Sequence, residues 1–197
     1  MNAGLPESPF SSGWHSAARR IPSPNQDERA VTAEVDMIVV HAISLPPGEF
    51  GSGCIDALFT NALDTAEDPR LAGLGSLRVS AHFLIDRGGA LTQYVPLQAR
   101  AWHAGVSSFG GQEGCNHRSI GVELEGTDET PFTDAQYAVL RKLCVALMQA
   151  YPRITHARIV GHSDIAPGRK TDPGVCFDWV RLRAAILAQQ LSSAPGT

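Results

Sequence analysis

The sequence predicts an α/β fold, a central mixed β-sheet flanked by helices, for three reasons. Short apolar runs rich in β-branched residues, such as residues 37–40, are typical of buried strands. Two longer segments, near residues 134–151 and 177–191, repeat apolar side chains at helical spacing. The chain has 197 residues, of which 43% are hydrophobic and 18% charged. This length and composition predict a single domain with one substantial core.

By composition, the chain divides into three segments. Residues 1–34 are rich in Pro, Ser and charged side chains and predict an irregular N-terminal arm. The domain itself is assigned to residues 35–190. Residues 191–197 follow the last helix as a loose C-terminal tail. We detect no internal repeat.

The elements of the first half of the domain follow from local patterns. The run "MIVVH" predicts a strand that ends at His41, and the segment "SGCIDALFTNAL" has the apolar spacing of a short helix. Gly88 and Gly89 separate two strand-like runs and predict a hairpin turn. Residues 101–118, "AWHAGVSSFGGQEGCNHR", form a long Gly-rich loop. Loops of this length in compact domains are usually functional or disordered.

Strands and helices also alternate in the second half. "SIGVELEG" predicts a strand with Val122 and Leu124 on one face and two glutamates on the other. Residues 133–136, "TDAQ", fit a capping box, and a helix with one apolar face follows as far as Pro152. "ARIVGH" predicts another strand, and "FDWVRLRAAILAQQL" predicts a final amphipathic helix.

Composition and charge narrow the function classes. The formal net charge is −4 and no long basic stripe occurs, which argues against nucleic acid as a partner. No run of about 18 apolar residues occurs, so no membrane-spanning helix is predicted. The first twenty residues lack the apolar core of an export signal, and the four cysteines form no C-x-x-C pair. We therefore expect a cytoplasmic protein with reduced thiols and no membrane partner.

The stretch "GHSDIAPGRKTDPG", residues 161–174, sets an imidazole, two carboxylates and two cations in stiff backbone. His41 closes one predicted strand and His162 follows another, and the turn after His162 can bring Asp172 back towards both. Two His nitrogens and one carboxylate oxygen suit zinc, and a catalytic zinc keeps one position open for water. The residues alone leave open that each histidine is a hydrogen-bonded structural residue, because their spacing is no compact motif.

A family resemblance strengthens the zinc hypothesis. The segments "VVHAISLPPGEFG", "LRVSAHFLIDRGGALTQYVPLQARAWHAGVSSFGG", "SIGVELEGTD" and "GHSDIAPGRKTDPGVCFDW" resemble the AmpD-type 1,6-anhydro-N-acetylmuramyl-L-alanine amidases. These enzymes belong to the zinc amidase superfamily of T7-type lysozyme and the peptidoglycan recognition proteins. The resemblance covers roughly residues 13–183 and rests on long runs rather than on one short motif.

The resemblance implies a fold, a reaction and a cofactor. The fold is the zinc N-acetylmuramoyl-L-alanine amidase type. The reaction hydrolyses the amide between the lactyl group of (1,6-anhydro-)N-acetylmuramic acid and the L-alanine of the stem peptide, in cytosolic peptidoglycan recycling. The cofactor is Zn²⁺, and its family ligands fall on His41, His162 and Asp172. The expected partner is a soluble anhydro-muropeptide, bound by a monomer.

Further site residues are expected around this set. The family's catalytic pair falls on Glu123, a proton carrier, and Lys170, a cation for the developing oxyanion. Arg78 matches a family residue that faces the peptide, and an Arg fork suits a carboxylate. Trp102 and His103 lie in the long loop and are expected to line the substrate cleft. A solvated carboxylate, a surface lysine and a surface salt bridge are the respective alternatives for Glu123, Lys170 and Arg78.

Other functions are also considered. A non-catalytic muropeptide-binding or peptidoglycan-binding module of the same superfamily typically lacks part of the zinc set, which is complete here. A serine hydrolase is disfavoured because Ser163 adjoins His162 and no G-x-S-x-G elbow occurs. A zinc deaminase would need H-x-E and P-C-x-x-C, and the sequence contains neither.

Overall fold

The computed structural model describes residues 8–66 and 68–193. Short 3₁₀ turns lie at Pro69–Leu71, Cys115–His117 and His156–Arg158. The four α-helices of the described residues are α1 (Cys54–Phe59), α2 (Asp134–Ala150), α3 (His162–Ile165) and α4 (Trp179–Ser193). The strands are β1 (Phe10–Ser11), β2 (Trp14–His15), β3 (Arg19–Arg20), β4 (Gln26–Glu28), β5 (Met37–Ile43), β6 (Phe83–Ile85), β7 (Leu91–Gln93), β8 (Ala99–Ala101), β9 (Ser108–Phe109), β10 (Gln112–Glu113), β11 (Ser119–Glu125) and β12 (Ile159–Gly161).

A six-stranded mixed sheet organises these elements. Its strand order is β12-β5-β11-β6-β7-β3. The strands β12, β5, β11 and β6 run parallel, whereas β6 and β7 form an antiparallel hairpin at the predicted Gly88–Gly89 turn. The predicted fold class, a mixed sheet with helices, is therefore confirmed.

The two central strands are paired over their whole length. The register of β5 and β11 runs from Met37 opposite Ser119 to Ile43 opposite Glu125. It places His41 opposite Glu123. Because residues at aligned positions of neighbouring strands face the same side of a sheet, this register brings the two polar side chains to one face.

Alternation along β5 separates two packing layers. Ile38 and Val40 face the core formed with α2 and α4, which includes Leu140, Leu143 and Ile186. The residues between them face the opposite layer. Met37 and Val39 pack there against Ala104, Cys115, Val160 and Ile165. His41 continues this second face, so the fold directs its imidazole towards the 101–118 loop and the segment after β12.

Local signals define α2 well. The Thr133 hydroxyl accepts the Gln136 N–H at 3.1 Å, and the Gln136 side chain accepts the Thr133 N–H at 3.0 Å. This is the predicted capping box, and it is confirmed. In the described part of the chain, no helix is both long and apolar enough to cross a membrane.

The N-terminal segment, expected to be irregular, contributes short strands from residue 10 onwards. β3 pairs with β7 at one edge of the main sheet, and β4 pairs with β8. The Arg29 guanidinium also donates to the carbonyl oxygens of Asn116, His117 and Ser119 at 2.8–3.0 Å. The division into arm, domain and tail stays a prediction. Its ends, residues 1–7 and 194–197, lie outside the described residues, and α4 extends to Ser193.

Candidate functional site

The sheet contributes two buried polar residues to the candidate site. His41 is only 2% exposed and Glu123 only 8% exposed. The strand predicted to end at His41 continues to Ile43, so the imidazole lies inside the sheet rather than at its end. Glu123 was expected on a polar face, but all seven residues of β11 are buried. The strand is central in the sheet, and a packed layer covers each face of the sheet.

The loop at residues 161–174 contributes the remaining groups. His162 is the first residue of α3, directly after β12. The chain then turns back, and the Ser163 N–H donates to the Asp172 carbonyl at 2.9 Å. Gly174, with φ of 83°, ends this turn where an added Cβ would lie 2.2 Å from the Asp128 Cα. Only glycine fits this approach, which fixes the path of the loop next to Asp172.

Three donor atoms converge between the sheet and the loop. The Nδ1 atoms of His41 and His162 are 3.0 Å apart. Asp172 Oδ2 is 3.1 Å from each of them. The three atoms form a nearly equilateral triangle, and together they make a group of the kind that holds a metal ion.

The protons on this triangle can be assigned from the outer contacts. His162 Nε2 lies 3.2 Å from the Ala104 carbonyl oxygen, which can only accept, whereas the Arg169 guanidinium, which can only donate, is farther away at 3.5 Å. The shorter contact favours the tautomer with the proton on Nε2. The Nδ1 of His162 therefore presents a lone pair to the triangle. A lone pair beside a carboxylate oxygen at this distance is repulsive unless a cation or a proton lies between them.

The dimensions of the triangle fit zinc. Ligand atoms at about 2.0–2.1 Å from a tetrahedral Zn²⁺ are separated by about 3.3–3.4 Å, close to the observed distances. Two imidazoles and one carboxylate are also a usual ligand set for a catalytic zinc. The donor set present in the structure therefore fits this metal.

Burial and charge set the protonation of the donors. Burial lowers the pKa of His41 to about 4, with a smaller contribution from the neighbouring His162, although Asp172 opposes the change. Burial raises the pKa of Asp172, but the two neighbouring histidines, His162 and His41, prevail and hold it below the ordinary value. A neutral imidazole and an ionised carboxylate are the forms that bind a metal.

Glu123 is buried beside this triangle, in register with His41 on the neighbouring strand. Burial raises its pKa well above the ordinary value, and the charge of Asp172 adds to the rise, whereas Lys170 lowers it. Among the described residues, no group hydrogen-bonds to Glu123 Oε2, which is buried. A buried carboxyl oxygen without a protein partner is free to bind a water or a substrate group.

Lys170 lies on the exposed side of the loop. The residue is exposed, and its backbone N–H donates to the Ala166 carbonyl at 3.1 Å. Its positive charge lowers the pKa of both Glu123 and His41. The structure thus brings five of the expected residues into one electrostatically coupled group: His41, Glu123, His162, Lys170 and Asp172.

The three residues expected to bind substrate lie in different surroundings. Arg78 is exposed and donates to the carbonyls of Gly75 and Leu77 at 3.0 Å each. Trp102 is partly buried, and its backbone N–H donates to the Ser80 hydroxyl. Within the described chain, no hydrogen bond or ion pair joins either side chain to the triangle. His103 is joined to it, since its Nδ1 lies 2.9 Å from His41 Nε2.

Sequence reasoning did not identify the groups that contact the outer ring nitrogens of the two histidines. Ala104 supports His162 through its carbonyl, and His103 is in turn 3.1 Å from the Ser119 hydroxyl. One available signal was Gly121, because a glycine inside a strand often marks the close approach of another group. An added Cβ at Gly121 would lie 2.5 Å from the His103 ring.

Comparisons with known proteins agree with this geometry. The profile of the N-acetylmuramoyl-L-alanine amidase family matches residues 31–175. The 1,6-anhydro-N-acetylmuramyl-L-alanine amidase AmpD of Citrobacter freundii is 55% identical over 88% of this chain and 92% of its own. A crystal structure of a selenomethionine AmpD derivative superposes with a TM-score of 0.87 at 54% identity, covering 90% of this chain and 98% of that chain.

A more distant relative has been solved with a substrate. The complex of the N-acetylmuramyl-L-alanine amidase AmiD from Escherichia coli with anhydro-N-acetylmuramic acid-L-Ala-D-γ-Glu-L-Lys has a TM-score of 0.57 at 31% identity. It covers 80% of this chain and 60% of that chain. The predicted resemblance and enzyme class are confirmed: the chain belongs to the N-acetylmuramoyl-L-alanine amidase family, among its AmpD-type members.

Proposed function

We propose that this amidase is zinc-dependent and hydrolyses the amide between the lactyl group of 1,6-anhydro-N-acetylmuramic acid and the L-alanine of the stem peptide. The observation that carries the proposal is the triangle of His41, His162 and Asp172, whose edges are 3.0–3.1 Å. These three residues would hold the zinc. When bound, the ion would polarise the scissile carbonyl and lower the pKa of a water molecule.

Glu123 is the proposed proton carrier. Its carboxyl group lies beside the triangle with a buried oxygen that is open to a water molecule. In its ionised form it takes a proton from the attacking water, and it then returns that proton to the leaving amine of L-alanine. Burial supports this role because it raises the pKa of Glu123 and makes the carboxylate a stronger base.

Lys170 is proposed to stabilise the transition state. Attack on the amide carbonyl places negative charge on its oxygen, and a nearby ammonium group favours that charge. Lys170 acts electrostatically on Glu123 and His41, so its charge reaches the space where the reaction would occur. As a cation with donors only, it is unsuited to bind zinc itself.

The substrate class is inferred from the relatives. AmpD of Citrobacter freundii is named for the 1,6-anhydro-N-acetylmuramyl-L-alanine bond, and AmiD has been solved with an anhydromuramyl tripeptide. We extend this class, a soluble anhydro-muropeptide, to the present chain. Contacts of Arg78 and Trp102 with the substrate, a cytosolic role in peptidoglycan recycling and a monomeric state stay predictions of the family resemblance.

A product assay tests the proposal. The purified full-length protein is incubated with 1,6-anhydro-N-acetylmuramyl tripeptide, and mass spectrometry should detect anhydro-N-acetylmuramic acid and the free tripeptide. A chelator should abolish the products and added Zn²⁺ should restore them. Full activity in protein shown by elemental analysis to be metal-free would contradict zinc dependence. Tight binding of the muropeptide by zinc-loaded protein without cleavage would instead support a binding module.

A further inference from the structure

His103 contacts His41 on the side of the ring that faces away from the triangle. The two imidazoles meet edge to face, with an interplanar angle of 84° and ring centroids 5.0 Å apart. His41 Nε2 and His103 Nδ1 are 2.9 Å apart, which is a hydrogen-bond distance. One of these two nitrogens must carry the proton, and the more distant contacts determine which.

A chain of hydrogen bonds behind His103 settles the assignment. Ser119 has one hydroxyl proton, and its Oγ lies 2.6 Å from the Cys115 carbonyl oxygen, which can only accept. The Ser119 oxygen therefore accepts the proton of His103 Nε2 across 3.1 Å. His103 Nδ1 is then unprotonated and accepts from His41 Nε2. This leaves His41 Nδ1 with its lone pair directed at the triangle.

The surroundings hold His103 in this orientation. The His103 backbone N–H donates to Asn116 Oδ1 at 3.1 Å, and this bond fixes the loop backbone where it leaves β8. Its ring lies over Gly121, where any Cβ would come within 2.5–2.7 Å of three ring atoms. Ser119 is fully buried, so water does not compete for its hydroxyl. Each feature restricts the ring to one position in which both nitrogens are used.

We propose that His103 is a positioning residue for the zinc site: by accepting the His41 Nε2–H, it fixes the His41 tautomer whose Nδ1 lone pair binds the metal. The inference rests on the proposed function, in which His41 is a zinc ligand. It assigns His103 a role other than the substrate contact expected from the sequence, because neither ring nitrogen remains for a substrate. Outer hydrogen bonds of this kind orient a ligand and raise its basicity.

Zinc affinity is the first readout. His103→Leu removes the acceptor while keeping an apolar side chain over Gly121, and His103→Asn restores an acceptor near the position of Nδ1. Competition with a chromophoric chelator should give a zinc Kd about 10–100-fold weaker for His103→Leu. His103→Asn should recover most of this loss. His156→Leu is the matched control, since His156 contacts Gln190 away from the site, and its Kd should equal that of the wild type.

The tautomer of His41 is the second readout. Long-range ¹H–¹⁵N spectra of the chelator-treated, ¹⁵N-His-labelled protein should show His41 protonated on Nε2 in the wild type and in His103→Asn. In His103→Leu a fraction protonated on Nδ1 should appear. A role limited to packing would change the Kd without changing this spectrum and without rescue by asparagine, and that result would overturn the proposal.

Two further variants make the result decisive. If His103→Leu does not fold, Ser119→Ala tests the same series of hydrogen bonds, since it removes the acceptor that orients His103. It should weaken zinc binding and mix the His41 tautomers. An unchanged Kd and spectrum in whichever variant folds overturns the positioning role. His41→Ala separates the two proposals: if it binds zinc as well as the wild type, His41 is not a ligand and the proposed function fails instead.

Discussion

The candidate site is built from two regions that differ in how they hold their residues. The sheet side presents His41 and Glu123, which are 2% and 8% exposed. The loop side presents His162, Lys170 and Asp172. Two of these reach solvent, since the Asp172 side chain is 15% exposed and Lys170 is exposed. The sheet residues are fixed by backbone pairing over seven positions, whereas the loop depends on a few turns and one glycine.

This difference corresponds to a difference in protonation between the sheet residues and the loop residues. On the sheet side, burial moves both pKa values in the direction of the neutral form: it lowers that of His41 and raises that of Glu123. On the loop side, Asp172 stays ionised because its two histidine contacts outweigh burial. The sheet thus provides groups whose proton affinity is adjusted, and the loop provides a fixed negative charge and an exposed cation.

Removal of the loop carboxylate should produce the largest effect. Asp172→Ala deletes one of three proposed ligands, so zinc affinity and activity should be lost together. We expect activity to fall at least about 10³-fold, because a Lewis acid contributes several kcal/mol to such a reaction. Elemental analysis and the muropeptide assay measure the two losses. Asp134→Ala, which removes an exposed carboxylate on α2, is the control. Zinc-free protein that retained wild-type activity would contradict the assignment.

Glu123→Gln tests the sheet side of the comparison. The amide keeps the shape of the side chain but cannot carry the proton, so kcat should fall about 10²–10⁴-fold. Zinc content should stay at the wild-type level because Glu123 is not one of the converging donors. Steady-state kinetics and metal analysis provide the measurement, with Glu129→Gln as the exposed control. If zinc content fell in parallel with kcat, Glu123 would be supporting the metal site rather than transferring a proton.

Lys170→Ala should have the next largest effect. Loss of one oxyanion contact should reduce kcat about 10²–10³-fold, with little change in KM and full retention of zinc. The exposed Lys142 on α2 offers the control Lys142→Ala. A variant that mainly raises KM would show that Lys170 binds the ground-state substrate. Loss of zinc comparable to that in Asp172→Ala would show that it holds the loop.

The smallest effect concerns the pH dependence of stability in chelator-treated protein. Burial lowers the pKa of His41 to about 4 and those of His82 and His103 well below 6.5. The unfolded chain then takes up protons first, so these groups reduce stability as the pH falls from 6.5 towards 4. Glu123 acts in the opposite direction, since its raised pKa costs stability as the pH rises above 4.5.

Glu123→Gln should therefore raise Tm at pH 7, by roughly 2–4 °C for each kcal/mol of opposing contribution removed. It should also make Tm fall more steeply than in the wild type between pH 6.5 and 4.5. Calorimetry of both metal-free proteins across this range is the measurement. Parallel Tm curves for the two proteins would contradict the buried, proton-shifted state of Glu123.

Local patterns were sufficient for the fold class, the β6–β7 hairpin and the capped start of α2. They failed to predict the burial of Glu123, because alternation along one strand does not reveal that β11 lies between β5 and β6 in a sheet covered on both faces. They also gave no indication of the contact between His103 and His41, which are 62 positions apart in the sequence. Contacts of this kind depend on which distant strands pair, and no local periodicity encodes strand order.

The register shared by β5 and β11 has a consequence for how the gene can change in length. His41 and Glu123 lie side by side on one face of the sheet because the two strands are aligned without a bulge from Met37 and Ser119 onwards. A single-codon insertion or deletion inside either strand would turn every following side chain of that strand to the opposite face. Length variation during evolution should therefore accumulate in the connecting segments, and deletion scanning should find these two strands to be the least tolerant stretches of the sheet.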